Sequence, residues 1–406
     1  MVDWTQSMQQ TFEYYIVNPN TWKDEKLITT VKSCTINRDS GLETLGSASI
    51  DIVDSVGECY IRVYLVVTQN GLTERFPLGT YLVQTPSSTY NGKTRDVSMD
   101  AYTPLIELKE KQPPIGYYMP KSIYYKVNVD NGIYSATEEE IEPGVGIMLE
   151  GVTTTSGKQV FEQTLPDGSK SYYCFNDTAM DIAYRLVREN ARAPVVKTTD
   201  TTPLHYDFVS STDDTWLTYL KDLIANTNHE FTLDELGRIL FAPKQNMASL
   251  QPVWTYDDGN SSILYPEVTM NHDMYGVPNV VEVIYSNGGD NLYSRKVNDD
   301  PNSPASIQNR GREITYRLIN PSMAGIPTQA QIDELAVQAL SELSTIEYTI
   351  TYSHGYCPVR VNDCVRLNYS RAGLKNIKAK VISQSIKCEA GCSVTEKAVF
   401  TSKLWG

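Results

Sequence analysis

The chain has 406 residues, with 35 basic against 49 acidic side chains and a formal net charge of −14. That length exceeds what one simple core organises, so two or three domains are expected. The acid excess repels phosphate backbones, and no basic run longer than two residues offsets it, which argues against a stable nucleic-acid binder.

Hydrophobic residues make up 41% and charged ones 21%, the balance of a folded rather than a disordered chain. Tyrosine outnumbers phenylalanine 27 to 8, a bias toward half-buried sheet surfaces, so strands should dominate. The first residues, MVDWTQSMQQTFEYY, carry neither a basic n-region nor an apolar h-region, so no secretory signal is expected. No stretch of about 18 consecutive apolar residues occurs, so no membrane anchor is expected and assembly in the cytoplasm is the default.

From the start to Lys111 the sequence reads almost entirely as strand: TFEYYIVN, LITTVKSCTI, SASIDIVD, CYIRVYLVVT, FPLGTYLVQT and TRDVSMDAYT. Each is short, alternating or β-branched, and bounded by turn residues. Asn70-Gly71 supplies a two-residue hairpin turn that needs positive φ at both positions. Such strand density predicts a β-barrel or sandwich over 1–111, with PLIELKEK as a helical turn closing it before Pro113-Pro114.

From 112 to 275 the pattern mixes. DTAMDIAYRLVRENA places Met180, Ala183, Tyr184, Leu186 and Val187 on one helical face, with Asn176 or Asp177 as the expected cap. DDTWLTYLKDLIANTN does the same with Trp216, Leu217, Leu220, Leu223 and Ile224, its leading acids favouring the helix dipole. HEFTLDELGRILFAP follows as a hairpin turning at Glu235–Gly237. This middle region is α+β.

From 276 to 406 strands return: NVVEVIYS, EITYRLI, EYTITYS, DCVRLNYS, IKAKVISQSIKC and SVTEKAVFTSKL. One helix, expected over 328–344, opens with Thr328 and Gln331 at capping-box spacing and sets Ile332, Leu335, Ala336, Ala339, Leu340 and Leu343 on one face. A second β-barrel with this helix packed on it is the expectation. Between NVVEVIYS and the helix, DDPNSPASIQNRGRE interrupts the sheet pattern with a polar segment. Pro301 and Pro304 remove backbone donors and fix φ, so the segment can be ordered without becoming a competing edge strand. Its composition leaves an interface arm and a flexible surface loop equally open.

Chemistry is sparse. Seven scattered cysteines fit reduced structural thiols, and the spacings of Cys357, Cys364, Cys388 and Cys392 depart from paired zinc knuckles, so no metal is expected. CEAGC reads as two strand ends around a tight glycine turn. Four histidines form no metal-ligand pair. Cys357 lies three residues after His354, an odd offset that puts strand side chains on opposite faces, with Gly355 as the one residue able to redirect them. The sequence supplies neither direct reach nor an orienting third group for a thiol–histidine nucleophile. TEEEIEP, ending at Glu142 and Pro143, and Asp257-Asp258 would suit glycoside hydrolysis if a sugar cleft set them across a bond, but consecutive acids beside Gly and Pro are ordinarily solvated. No phosphate-binding glycine loop is present, and NVDNGIYSATEEE fails as a calcium loop because Val127 stands where the first acidic ligand belongs. No catalytic residue and no cofactor is expected.

The succession of FPLGTYLVQT, DVSMDAYTPLIELKE, FTLDELGRILFAP, NVVEVIY with DDPNSPASIQNRG, the Thr328 helix and PVRVNDCVRLNY resembles the phage baseplate or tail hub family, in order and over essentially the whole chain. That family builds contractile-tail hubs, and similar domains open the tail-associated proteins of long noncontractile tails. The resemblance implies a mainly β chain with two tube-like antiparallel β-barrels flanking a mixed α+β middle domain. It implies a non-enzymatic homotrimer whose six barrels form a pseudo-sixfold ring. The ring would meet the tail tube or distal tail proteins above and a central spike or tip below, with the tape-measure protein as a further contact and DNA passing without specific binding. The expected place is the virion tail. By the same resemblance Asp299, Asp300, Pro301, Asn302, Ser303 and Pro304 leave the second barrel as an extended loop near neighbouring subunits. The ending AVFTSKLWG implies the structural portion without an appended lytic module. The rival reading is a tail-tip enzyme or saccharide-binding protein that uses aromatics such as Trp216 and Trp254 on cell-wall glycans.

Overall fold

The computed structural model describes residues 2–53, 56–90, 92–93, 95–198, 200–245, 249–286, 291–321 and 327–403. The chain is mainly β and divides into two compact units, Met1–Ser249 with Ser385–Cys392, and Leu250–Gln384 with Ser393–Gly406.

The first unit opens with seven strands, β1 (Gln9–Val17), β2 (Asp24–Ile28), β3 (Val31–Asp39), β4 (Gly46–Ile52), β5 (Cys59–Gln69), β6 (Leu72–Tyr90) and β7 (Arg95–Tyr102). They pair antiparallel in the order β3-β4-β7-β6-β5-β1-β2. Burial alternates strictly along β4, with Ala48, Ile50 and Ile52 inward, as period-two patterning requires. β5 is buried on both faces for most of its length, which marks it as central. The β5–β6 turn is the expected one, with Asn70 at φ 52° and Gly71 at φ 77°.

The expected barrel does not close. Among the described residues β2 pairs with β1 alone, and its five residues DEKLI are exposed at the first four positions. A short, charged edge ends a sheet rather than inviting another strand. The second unit is likewise open among the described residues, so the barrels inferred from strand density are open sheets.

The turn α1 (Ile106–Glu110) leads into a five-stranded antiparallel sheet, Ile133–Ile141, Tyr124–Asp130, Lys170–Phe175, Gln159–Thr164 and Ile147–Thr153 in spatial order. It went unseen in the sequence, although Asn131-Gly132, at φ 48° and 79°, is the same turn signal as Asn70-Gly71. Helices α2 (Ala179–Asn190) and α3 (Trp216–Ala225) then pack with the hairpin His229–Leu233/Ile239–Pro243 into one apolar core. It is built on Met180, Ala183, Leu186, Leu217, Leu220, Phe231 and Phe241. The caps differ from expectation: Thr178, not Asn176 or Asp177, starts α2 through a capping box with Asp181. Thr215 starts α3 with Thr218, and no acid lies in the first turn of α3. A threonine hydroxyl aimed at the third backbone N–H outcompetes the neighbouring acids, whose groups serve other partners, Asp214 accepting from Ser211 N at 2.6 Å.

In the second unit a larger sheet runs Leu264–His272, Thr345–Gly355, Ser393–Lys403, Ile377–Lys387, Cys364–Asn368 and Trp254–Asp257, the last pair parallel. A separate three-stranded sheet, Asn291–Val297, Val280–Ser286 and Thr315–Ile319, carries α5 (Gln329–Leu343) on one face. The helix therefore packs on this small sheet and not on the larger one. Val281 and Val283 meet Ile332, Ala336, Ala339 and Leu340 there. Each fully buried branched side chain contributes roughly 1.5–3 kcal/mol, enough to hold a three-stranded sheet that would not stand alone. The Thr328 capping box is present as expected.

Candidate functional site

Of the six residues expected at a subunit contact, all lie on the connection between Asn291–Val297 and the short helix α4 (Ile307–Arg310). The small sheet explains the interruption. The chain leaves one edge of that sheet at Val297 and must re-enter at Thr315 on the opposite edge, beyond Val280–Ser286. The polar segment is the crossing, and it is not an extended arm. Asn298 donates to Ser303 Oγ (2.9 Å), Asn302 N donates to Asp300 Oδ1 (2.8 Å), and Ser303 N donates to Asp300 O (3.0 Å). Asn309 Nδ2 donates to both Pro301 O and Ser303 O (2.8 Å each). Asn298, Ser303 and Ser306 are buried, while Asp299, Asp300, Pro301, Asn302 and Pro304 face outward. A loop bonded to itself in this way presents a fixed polar surface with two exposed acids, because side-chain oxygens and the Asp300 carboxylate have taken the place of strand partners.

The second arrangement, in the larger sheet of the same unit, was not legible in the sequence. Tyr352 and Glu396 stand directly opposite on adjacent strands, and Tyr352 Oη donates to Glu396 Oε2 at 2.7 Å. Gln384 Nε2 donates to Glu396 Oε1 at 2.6 Å, and Tyr256 Oη to Oε2 at 3.3 Å. His354 Nε2 lies 3.3 Å from Glu396 Oε1, with both side chains fully buried. Its Nδ1 meets Gly355 O at 2.6 Å. A proton on each ring nitrogen would meet an acceptor, Glu396 at Nε2 and Gly355 O at Nδ1. Burial alone would lower the His354 pKa, but hydrogen bonds to Cys357 and Glu396 push it up to about 10. Burial would raise that of Glu396, yet the bonds from His354, Gln384 and Tyr352 hold it below the usual carboxylate range. The four donors occupy the carboxylate's acceptor sites, so the ion pair is internally satisfied.

Cys357 Sγ sits 3.3 Å from Tyr256 Oη, which itself lies 3.0 Å from His354 Nε2. Thiol, imidazole and carboxylate therefore do come together, against the odd-offset expectation. The strand ends at Gly355, so alternation no longer governs Cys357. All three are sealed: Cys357 is 1% exposed and His354 and Glu396 are 0%. The group is closed to solvent, and its bonds tie strands Trp254–Asp257, Thr345–Gly355, Ile377–Lys387 and Ser393–Lys403 together.

The first unit has its own tie. Arg62, on β5, sends Nε to Thr80 Oγ1 (2.9 Å), Nη1 to Asp24 Oδ1 (2.8 Å), and Nη2 to Leu236 O (3.1 Å). Trp22 Nε1 reaches the same Leu236 carbonyl at 2.8 Å. The Asp234–Gly237 turn is thereby fastened to the sheet, and Gly237, at φ 73°, is required there because a Cβ would lie 2.6 Å from Thr80 Cβ.

The other residues singled out in the sequence have the following surroundings. Cys388 and Cys392 do flank a glycine turn, and the free thiol of Cys388 lies within hydrogen-bonding reach of the free thiol of Cys34, both buried within the first unit. Among the described residues no group of three His, Cys, Asp or Glu could hold a metal ion. Trp216 is a core residue at 6% exposure and so is not a surface aromatic. Glu140 and Glu142 of TEEEIEP line an open cleft on the five-stranded sheet. No helix among the described residues is long and apolar enough to cross a membrane.

No protein-family model matches the chain, and no curated protein does. Solved structures match along its whole length. The tail protein from Neisseria meningitidis MC58 superposes with a TM-score of 0.53 at 10% identity, covering 98% of this chain and 98% of that one. The 43 kDa tail protein of prophage MuSo2 from Shewanella oneidensis gives 0.52 at 10% identity, covering 96% of this chain and 98% of that one. The fold is thus one shared with phage tail proteins.

Proposed function

We propose that the chain is a structural hub of a phage tail or phage-like injection particle, acting as a homotrimer between the tail tube and a central spike or tip. The observation that carries this is the end-to-end fold likeness to two tail proteins, with 98% of each covered. A match that spans a whole chain of this length concerns the complete arrangement of elements, not one common module.

In this reading three protomers contribute six large open sheets, so a threefold assembly offers a pseudo-sixfold face to the tube and a threefold face to the tip. The three regions 1–111, 112–275 and 276–406 serve as first sheet, outward middle domain and second sheet. The net charge of −14 suits a conduit, since an acidic wall repels DNA and keeps it moving. The loop Asp299–Pro304 is the subunit contact: its internal bonds fix its shape before assembly, which lowers the ordering cost of association. The protein is placed in the virion tail, assembled in the host cytoplasm, and works without a cofactor or catalytic residue of its own.

Native mass spectrometry, alone and with the adjoining tail proteins, tests the proposal. The expected species is three times 45.6 kDa. A chain that stays monomeric even with tube and spike proteins present would remove the hub reading. Asp300→Lys should weaken the trimer if the loop is the contact; an unchanged trimer moves the contact elsewhere.

A further inference from the structure

We propose that the cleft on the five-stranded sheet of the first unit is a saccharide-binding site. This goes beyond the hub role and stands or falls separately from it. The cleft encloses about 920 Å³, within the range of small-ligand sites, and opens to solvent.

Its floor is aromatic. Phe161 and Tyr124 show part of their rings, while Tyr173 and Phe175 lie buried beneath at 6% exposure each. Phe161 stacks on Tyr173 with centroids 5.4 Å apart and planes at 14°, and Tyr124 meets Tyr173 and Phe175 edge-on at 5.8 Å. Two half-buried rings are thus held in fixed orientation by two buried ones. Gly146 belongs to the same wall: a side chain there would overlap the Tyr173 ring.

Polar groups of both kinds surround this floor. Glu140 and Glu142 offer acceptors, Lys121 and His205 offer donors, and all four are exposed. Among the described residues their side chains have no hydrogen-bond or ion-pair partner in the protein, whereas neighbouring Glu139 is paired with Lys126 at 3.1 Å. An apolar helix laid in the cleft would strand these groups without partners. A phosphate-bearing ligand would meet two carboxylates in a chain already at −14. A pyranose has the remaining combination: an apolar ring face for the aromatic platform and a hydroxyl edge that both donates and accepts. The observation that carries the assignment is this convergence of preoriented rings with unengaged donors and acceptors in a single open cleft.

The test is calorimetric and saturation-transfer NMR titration of the full chain with chitotetraose and maltotetraose, with tetralysine as the competing chemistry. At least one tetrasaccharide should bind in the millimolar range or tighter. Phe161→Ala should weaken it about tenfold through loss of the stacking surface. Because Phe161 also supports the sheet, the double variant Glu140→Gln, Glu142→Gln, at two exposed positions, provides the second readout and should weaken binding about fivefold. Failure of both sugars to bind at millimolar concentration overturns the assignment. So does sugar binding that neither variant alters, and so does binding of tetralysine alone.

Discussion

Arg62 in the first unit and His354 in the second both hold a cation against a carboxylate inside a sheet, but the two ties differ in access and in chemistry. The Arg62 side chain is 5% exposed and its partner Asp24 25%, so one end of that pair remains hydrated. His354 and Glu396 are both sealed. A guanidinium keeps its charge and spreads five donors over a hydroxyl, a carboxylate and backbone carbonyls, so the first tie depends on shape. An imidazolium keeps its charge only because of its neighbours, so the second tie depends on proton occupancy. The Arg62 side of the first tie should therefore keep its charge at high pH where His354 does not.

The largest effect should follow removal of the sealed carboxylate. Glu396→Ala leaves His354, Gln384 and two tyrosine hydroxyls without their common acceptor, and should cost the second unit about 3–5 kcal/mol. Urea unfolding, with hydrogen exchange to assign each transition, would show that loss confined to residues 250–384 and 393–403. A loss below about 1 kcal/mol would mean the network is incidental to stability.

Titration sharpens the same contrast. His354 has a folded pKa raised to about 10, so its contribution is complete below its ordinary value near 6.5 and disappears as pH rises through the folded value. Glu396 is shifted down, so its contribution is complete above the ordinary 4.5 and is lost as pH falls through the folded value. The second unit should thus be most stable between those two ordinary values and weaken toward pH 10. Thermal unfolding of wild type against Glu396→Ala across pH 5 to 10 should show the pH slope vanish with the pair.

Arg62→Met should cost the first unit less, about 2–3 kcal/mol, because Asp24 can recover water and the Leu236 carbonyl keeps Trp22 Nε1, while Thr80 and the Trp22 carbonyl lose a donor. Gly237→Ala attacks the same tie from its other end and should cost about 2 kcal/mol, from the left-handed backbone and the clash with Thr80. If Arg62→Met and Gly237→Ala add independently in a double-mutant cycle, the turn and the guanidinium are not one structure. The smallest expected effect is Thr328→Ala, about 1 kcal/mol from the cap of α5, read by helix-region hydrogen exchange.

Much of this fold was legible in the chain. Alternation marked β1 and β3 to β7, and the Thr328 and Asp234–Gly237 motifs formed where their spacing placed them. The failures are equally specific. Asn131-Gly132 sits in a stretch whose acids imitate a calcium loop but forms a hairpin turn, and β2 leaves no signal because a five-residue charged edge carries no alternation. Trp216 looked available for a ligand and is core, since a tryptophan on the apolar face of a helix is drawn inward by its area. The segment Asp299–Pro304 was readable as polar, with an interface arm and a flexible loop both open, but its route across a three-stranded sheet was not.

Sequence alone determined which segments become strands or helices, where they turn and which face of each is apolar. Those properties depend on residues within one or two turns of one another, and on side-chain periods set by backbone geometry. Only the tertiary structure decided whether the sheets close and which distant groups meet. Glu396 finds Tyr256 and His354, Arg62 finds the Leu236 carbonyl, and Glu140 finds Phe161, through strand order and register. A one-residue slip in register would turn each of these side chains to the opposite face, and no local pattern encodes that choice.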